Sequence, residues 1–393
     1  MSWRTFVALL TASWALWLGS AGAQVMPQPP EIAARAYLLL DLTSEQELAA
    51  RDADAPVQPA SLAKLMTAYL VFDAVRVGRL APKQVLPVSE LAARQPGSRM
   101  FLEAGMKVPV AELIKGLLVL SGNDAALVLA EGVAGSVERF VPLMNEQAQA
   151  LGLKATRFVN PTGLTQPGQT STARDLAVLS ARLLRDFPQY ADVYAMRKYR
   201  YPSAPAANDT NRNLLLFRDP SVDGLMTGNT NEAGYCMIAT ARRDFPSLGS
   251  AGAGGERRLL AVVLGADSEN ARATETQKLL NWGYTAFEAV KLFDANQPVL
   301  LPSVWKGKAT QARLGQPRPI VVAVPPGGAK QLRIQAVHAE PLVAPLAQGQ
   351  VAGRLQIYLG ERELSTIPLL TLESVEQAGL LGRAWDAFRL WIQ

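Results

Sequence analysis

One cysteine and one histidine in 393 residues set the first limits. With Cys236 alone, no disulfide can form within the chain even in an oxidising compartment, and in the stretch AGYCMIATA it reads as a small buried hydrophobe. His338 has no cysteine or second histidine at metal-ligand spacing, which argues against a zinc site; no metal and no cofactor are expected. Charged residues make up 19% of the chain, and the lysines and arginines are dispersed rather than blocked. A formal net charge of +5 so scattered leaves no nucleic-acid footprint, and no nucleic-acid partner is expected. Apolar residues reach 49%, too many for a disordered chain, and the length exceeds one average domain.

The chain opens on MSWRTFVALLTASWALWLGSAGA, with one positive charge at Arg4, an apolar run, and small residues at Ala21 and Ala23. This is the layout of a secretory signal over residues 1–23, cleaved before Gln24; the run is nearly long enough to span a bilayer, so an uncleaved anchor is the alternative. AYLLLDLTSEQELAARD reads as a β-hairpin, and SLAKLMTAYLVFDAVRVG as a helix whose first turn holds Ser61 and which stops at Gly78. Helices follow in VAELIKGLLVL, DAALVLAEGVAG, VERFVPLMNEQAQALG and TARDLAVLSARLLRD, strands in GYCMIATARR and RLLAVVLGAD, and a last helix over residues 271–290. Strands flanking a helical insertion predict an α+β domain over residues 30–293. Alternating segments such as PIVVAVP, QLRIQAV and GRLQIYL predict a small all-β domain over residues 299–370. Residues 371–393 predict an amphipathic helix with Leu381, Ala384, Trp385, Phe388, Trp391 and Ile392 on one face, suited to a membrane interface or, alternatively, to docking on its own domain.

Ser61-Leu62-Ala63-Lys64 places a hydroxyl and an amine three residues apart on one helical face. A serine is a poor nucleophile until a base takes its proton, and a partly desolvated lysine can be that base. Alone the pattern is common by chance. It gains weight from Ser121-Gly122-Asn123, which interrupts an apolar helix pair, and from Thr227-Gly228 on an expected strand.

These motifs occur in the order found in penicillin-binding proteins, and the chain resembles the serine D-alanyl-D-alanine carboxypeptidases, the low-molecular-mass penicillin-binding proteins of the S11 peptidase family. PASLAKLMTAY, LLVLSGNDAA, STARDLAVLS, NRNLLLFRDPSVDGL and KLLNWGY are similar to that family's segments in its order. The resemblance implies a β-lactamase/transpeptidase-like domain, an antiparallel sheet with a helical subdomain, ahead of the β domain. It implies Ser61 as nucleophile and Lys64 as its base. Ser121 would relay protons, Asn123 contact the substrate amide, Thr227 and Gly228 dock the peptide, and Arg272 face its terminal carboxylate. The implied partners are the peptidoglycan stem peptide, β-lactam antibiotics as acylating inhibitors, and the inner-membrane surface, with the protein periplasmic and held by its C-terminal helix. No Glu-x-x-Leu-Asn segment for a class A lactamase is found.

The sequence departs from the family where the chemistry lies. Met226 stands at the family's lysine and Asn229 where histidine is frequent, and NPTGLTQ puts Thr162 and Thr165 into a His-Gly-Leu-Asp motif. Losing a cation beside Lys64 should leave that amine more often protonated, so reduced carboxypeptidase activity is expected, with a non-catalytic wall-binding protein as the alternative.

Overall fold

The structure, a computed structural model, describes residues 26–205, 207–245 and 255–379. The expected signal segment and the helical face from Leu381 to Ile392 lie outside them. Strands β1 (Ala36–Asp41) and β2 (Gln46–Arg51) form the expected hairpin. A 3-10 turn, Ala60–Ala63, runs directly into α1 (Lys64–Arg76). Then come α2 (Val110–Val119), α3 (Asn123–Ala134), α4 (Val137–Ala150) and α5 (Ala173–Asp186). The chain returns through β3 (Val222–Thr230), β4 (Gly234–Phe245) and β5 (Gly255–Ala266), and α6 (Glu269–Ala286) packs back on the sheet. The sheet order is β2-β1-β5-β4-β3, all antiparallel, so β3 lies at an edge.

Strand β5 shows why this sheet reads as an unbroken apolar run. Successive side chains point to opposite faces. Leu260, Val262 and Leu264 enter the core shared with α1 to α5, while Leu259, Ala261 and Val263 enter the core under α6, beside Leu279 and Leu280. Both faces are covered, so over residues 259–264 neither register carries polar residues. Helix starts follow capping chemistry: the hydroxyls of Ser136, Thr172 and Ser268 accept from the amides three residues on, opening α4, α5 and α6.

Helix α6 ends at Ala286 rather than near residue 290. Phe287 turns inward against Trp282, ring centroids 5.4 Å apart, and Glu288–Phe293 becomes a strand paired with Ile320–Val324. Val290 joins the core of the second domain, next to Val322 and Leu355. That domain is built on Leu332–His338, Val351–Leu359 and Arg362–Thr371, paired in sequence order. Residues 372–379, placed by the sequence reading at the start of the terminal helix, stay with the β domain. Their amides find carbonyl partners there: Val375 donates to Leu346 at 2.9 Å and Ala378 to Lys306 at 2.8 Å.

Polar contacts join the domains. Gln46 exchanges two hydrogen bonds with the backbone of Ala323, at 3.1 and 2.6 Å, and Arg318 forks onto both carboxylate oxygens of Glu45. Among the described residues no helix is long and apolar enough to cross a membrane.

Candidate active site

Ser61 lies in the 3-10 turn and Lys64 is the first residue of α1, so the change of helical pitch falls between them. Lys64 Nζ donates to Ser61 Oγ at 3.0 Å and to the backbone carbonyl of Thr162 at 2.6 Å. The lysine is fully buried. Burial first, and the Arg212 cation second, pull its pKa from 10.5 down to about 7, against the opposing pull of Asp124. Near neutral pH much of the amine is therefore uncharged and able to accept the serine proton. Burial is the larger cause and operates whatever residue stands at 226.

Two glycines let other segments press onto the Ser61 turn. A Cβ on Gly163 would lie 1.8 Å from the Ala60 carbonyl oxygen, and its φ of +81° favours glycine independently. A Cβ on Gly228 would lie 3.0 Å from the Ser61 amide nitrogen. The loop carrying Gly163 is ordered by Asn160, whose Oδ1 accepts from the amides of Thr162 and Gly163 and whose Nδ2 donates to the Leu164 carbonyl. Thr162 keeps its place through local contacts, donating to Asn160 Oδ1 and accepting from the Leu164 amide.

Ser121 sits between α2 and α3 at φ +54°, a left-handed conformation uncommon for a side-chain-bearing residue. Asn123 is held by its amide, which donates to Ser98 at 2.7 Å, and by its Nδ2, which donates to Pro96 at 2.6 Å. Both residues are buried, yet Ser121 Oγ and Asn123 Oδ1 have no protein partner. An unsatisfied buried polar atom costs roughly 1–3 kcal/mol, so these atoms are poised for a ligand in the cavity they line.

Along β3, Gly224 faces Tyr194 and Gly228 faces Ala60 and Ser61. The two-residue period puts Met226 on the same face between them, where it is buried in the apolar core rather than lining the cavity. Thr227, Gly228 and Asn229 do line it. Arg272, from the first turn of α6, donates to the Gly228 carbonyl at 3.2 Å, the Arg212 carbonyl at 3.3 Å and Glu269 at 2.8 Å, and its Nε is buried without a partner. The predicted residues thus converge on one cavity, except Lys64 and Met226, which lie beneath its wall.

Arg212 also lines this cavity and received no role from sequence. Its signal was the flanking Asn-Arg-Asn: both asparagines are buried and turned inward, Asn211 donating to the Met196 carbonyl and Asn213 to the Gly224 carbonyl, both at 3.0 Å. At the cavity's outer side Thr165 donates to Glu232 at 2.8 Å, so the departure from aspartate at 165 meets a carboxylate on the β3–β4 turn.

Comparison with known proteins places the chain in a family. Residues 23–268 match the family described as D-alanyl-D-alanine carboxypeptidase, and residues 287–377 match the penicillin-binding protein 5 C-terminal domain. The chain is similar to the D-alanyl-D-alanine carboxypeptidase DacC of Escherichia coli, 38% identical over 372 residues, covering 93% of this chain and 90% of that one. Its structure is similar to penicillin-binding protein 5 from Haemophilus influenzae, with a TM-score of 0.78 and 33% identity, covering 89% of this chain and 100% of that one. It is also similar to penicillin-binding protein D2 from Listeria monocytogenes solved in the ampicillin-bound form, with a TM-score of 0.57 and 30% identity, covering 65% of this chain and 98% of that one. With both of its domains matched, this chain belongs to the S11 family of D-alanyl-D-alanine carboxypeptidases.

Proposed function

We propose that the protein removes the terminal D-alanine from peptidoglycan stem pentapeptides through an acyl-enzyme on Ser61. The observation that carries this reading is the buried Lys64 amine, with its pKa near 7, standing 3.0 Å from the Ser61 hydroxyl. Lys64 takes the hydroxyl proton while Oγ attacks the carbonyl carbon of the penultimate residue, forming a tetrahedral oxyanion. The scissile C–N bond then breaks, and the departing D-alanine amine takes a proton relayed by the Ser121 hydroxyl. Water attacks the resulting ester, gives its proton back through the same groups, and frees Ser61. Asn123 and the edge strand β3 hold the peptide, and Arg272 with Thr227 receives its terminal carboxylate. β-Lactams would acylate the same serine; that a Listeria relative was solved with ampicillin bound supports β-lactam binding.

The alternative, a wall-binding protein that does not cut, rests on Met226, Thr162 and Thr165. Two of these departures are accommodated locally: the Lys64 contact at 162 is to main chain, and Thr165 pairs with Glu232. Incubation with a stem pentapeptide should release D-alanine, and fluorescent penicillin should label the wild type and not Ser61→Ala. Release that survives Ser61→Ala would overturn the mechanism, and a wild type that neither releases D-alanine nor takes label would establish the binding-only reading.

For location, the reading is a periplasmic protein exported by residues 1–23 and held on the inner membrane by the helix expected after Gly379. A chain ending at Gly379 keeps the contacts of Val375 and Ala378 with the β domain and should move to the soluble periplasmic fraction. Retention on the membrane would assign the anchor to another segment.

A further inference from the structure

The cavity holds a cation that no motif assigned. We infer that Arg212 does the electrostatic work that a lysine at position 226 would do, holding Lys64 in its uncharged form from across the cavity. This rests on the reading of Lys64 as the base for Ser61.

Three observations place Arg212 in that role. Its backbone is fixed on both sides by buried asparagines, Asn211 donating to the Met196 carbonyl and Asn213 to the Gly224 carbonyl, while its own carbonyl accepts from Arg272. Its side chain lines the same cavity as Ser61 and Ser121. No carboxylate pairs with it among the described residues, whereas Arg272 is tied to Glu269. An unpaired cation projects its field into the site instead of being neutralised locally.

The groups around Lys64 favour this assignment. Asp124, from the first turn of α3, pulls toward the charged amine and Arg212 pulls the other way. Asp124 is buried and bound to the amides of Met100 and Leu102, so its field is fixed. On β3, Met226 stands at the position of the family's lysine and carries no charge. Arg212 is thus the cation that offsets Asp124.

Lysine labelled with 13C at Cε reads the Lys64 titration directly by NMR, assigned with Lys64→Arg. In Arg212→Gln the midpoint should rise by about half a pH unit, and penicillin acylation at pH 6 should fall about three-fold, with the acid limb moved to the same extent. Arg212→Lys should keep both near wild type. Met226→Lys should lower the midpoint again in the Arg212→Gln background. An unchanged Lys64 midpoint in Arg212→Gln, in protein that still takes penicillin, overturns the inference and leaves the carboxypeptidase reading standing. A shifted midpoint in protein that takes no penicillin upholds the inference and overturns that reading.

Discussion

Lys64 Nζ donates to the backbone carbonyl of Thr162 at 2.6 Å, so the second anchor of the buried amine is main chain and independent of the side chain at 162. The departure from histidine there leaves this contact in place. What Thr162 contributes is the shape of its own loop, through Asn160 and the Leu164 amide.

Thr162→Ala should therefore cost about 1 kcal/mol of stability, one buried hydrogen-bonding side chain, and change penicillin acylation by less than about three-fold. Urea denaturation and stopped-flow labelling separate the two effects. A loss of acylation above a hundred-fold, on the order of 3 kcal/mol, would mean that the hydroxyl acts on the site itself.

Gly163→Ala should behave in the opposite way. The added Cβ meets the Ala60 carbonyl oxygen at 1.8 Å, one residue before Ser61, and φ is +81°. The turn must shift, and misplacing a nucleophile by a fraction of an ångström costs roughly ten- to a hundred-fold in rate. Circular dichroism should show the fold retained while acylation falls.

The pH behaviour follows from Lys64. Its folded pKa of about 7 lies below the model-compound value of 10.5, so between those values the unfolded chain binds the extra proton and stability rises with pH. Activity should fall on the acid side of about 7 as the amine gains its proton. Lys64→Met should abolish acylation and raise the melting temperature, by more at pH 6 than at pH 10. A melting temperature gain equal at both pH values would show that the amine is not buried uncharged.

Thr165 and Glu232 make a paired departure that can be reversed one side at a time. Thr165→Asp restores the family's residue yet sets a carboxylate where the Thr165 hydroxyl now donates to Glu232 at 2.8 Å. Two like charges in contact repel. The variant should melt lower than wild type, and Glu232→Gln in the same chain should recover the loss.

The sheet, helices α1 to α5 and the meeting of Ser61, Ser121 and Arg272 around one cavity were legible because periodicity and motif order are local properties of the chain. The end of α6 was not legible: Phe287 to Val290 is apolar enough to continue a helix, and only pairing with Ile320–Val324, thirty residues on, makes it a strand. Residues 372–379 were misread for the same reason, since their hydrogen-bond partners at Leu346 and Lys306 are distant in sequence. Arg212 escaped notice because its place depends on which way two neighbouring asparagines turn. The weight given to Met226 came from the absence of the family's lysine there, and burial lowers the Lys64 pKa beside it.

The grip between the domains, Gln46 on Ala323 and Arg318 on Glu45, sits on the β1–β2 hairpin and its turn, and β1 pairs directly with the central strand β5. The second domain is therefore tied to the sheet of the first through the β1–β2 hairpin as well as through the chain leaving α6. Neither tie includes the Ser61 turn, so loosening the grip between the domains leaves that turn's own contacts untouched.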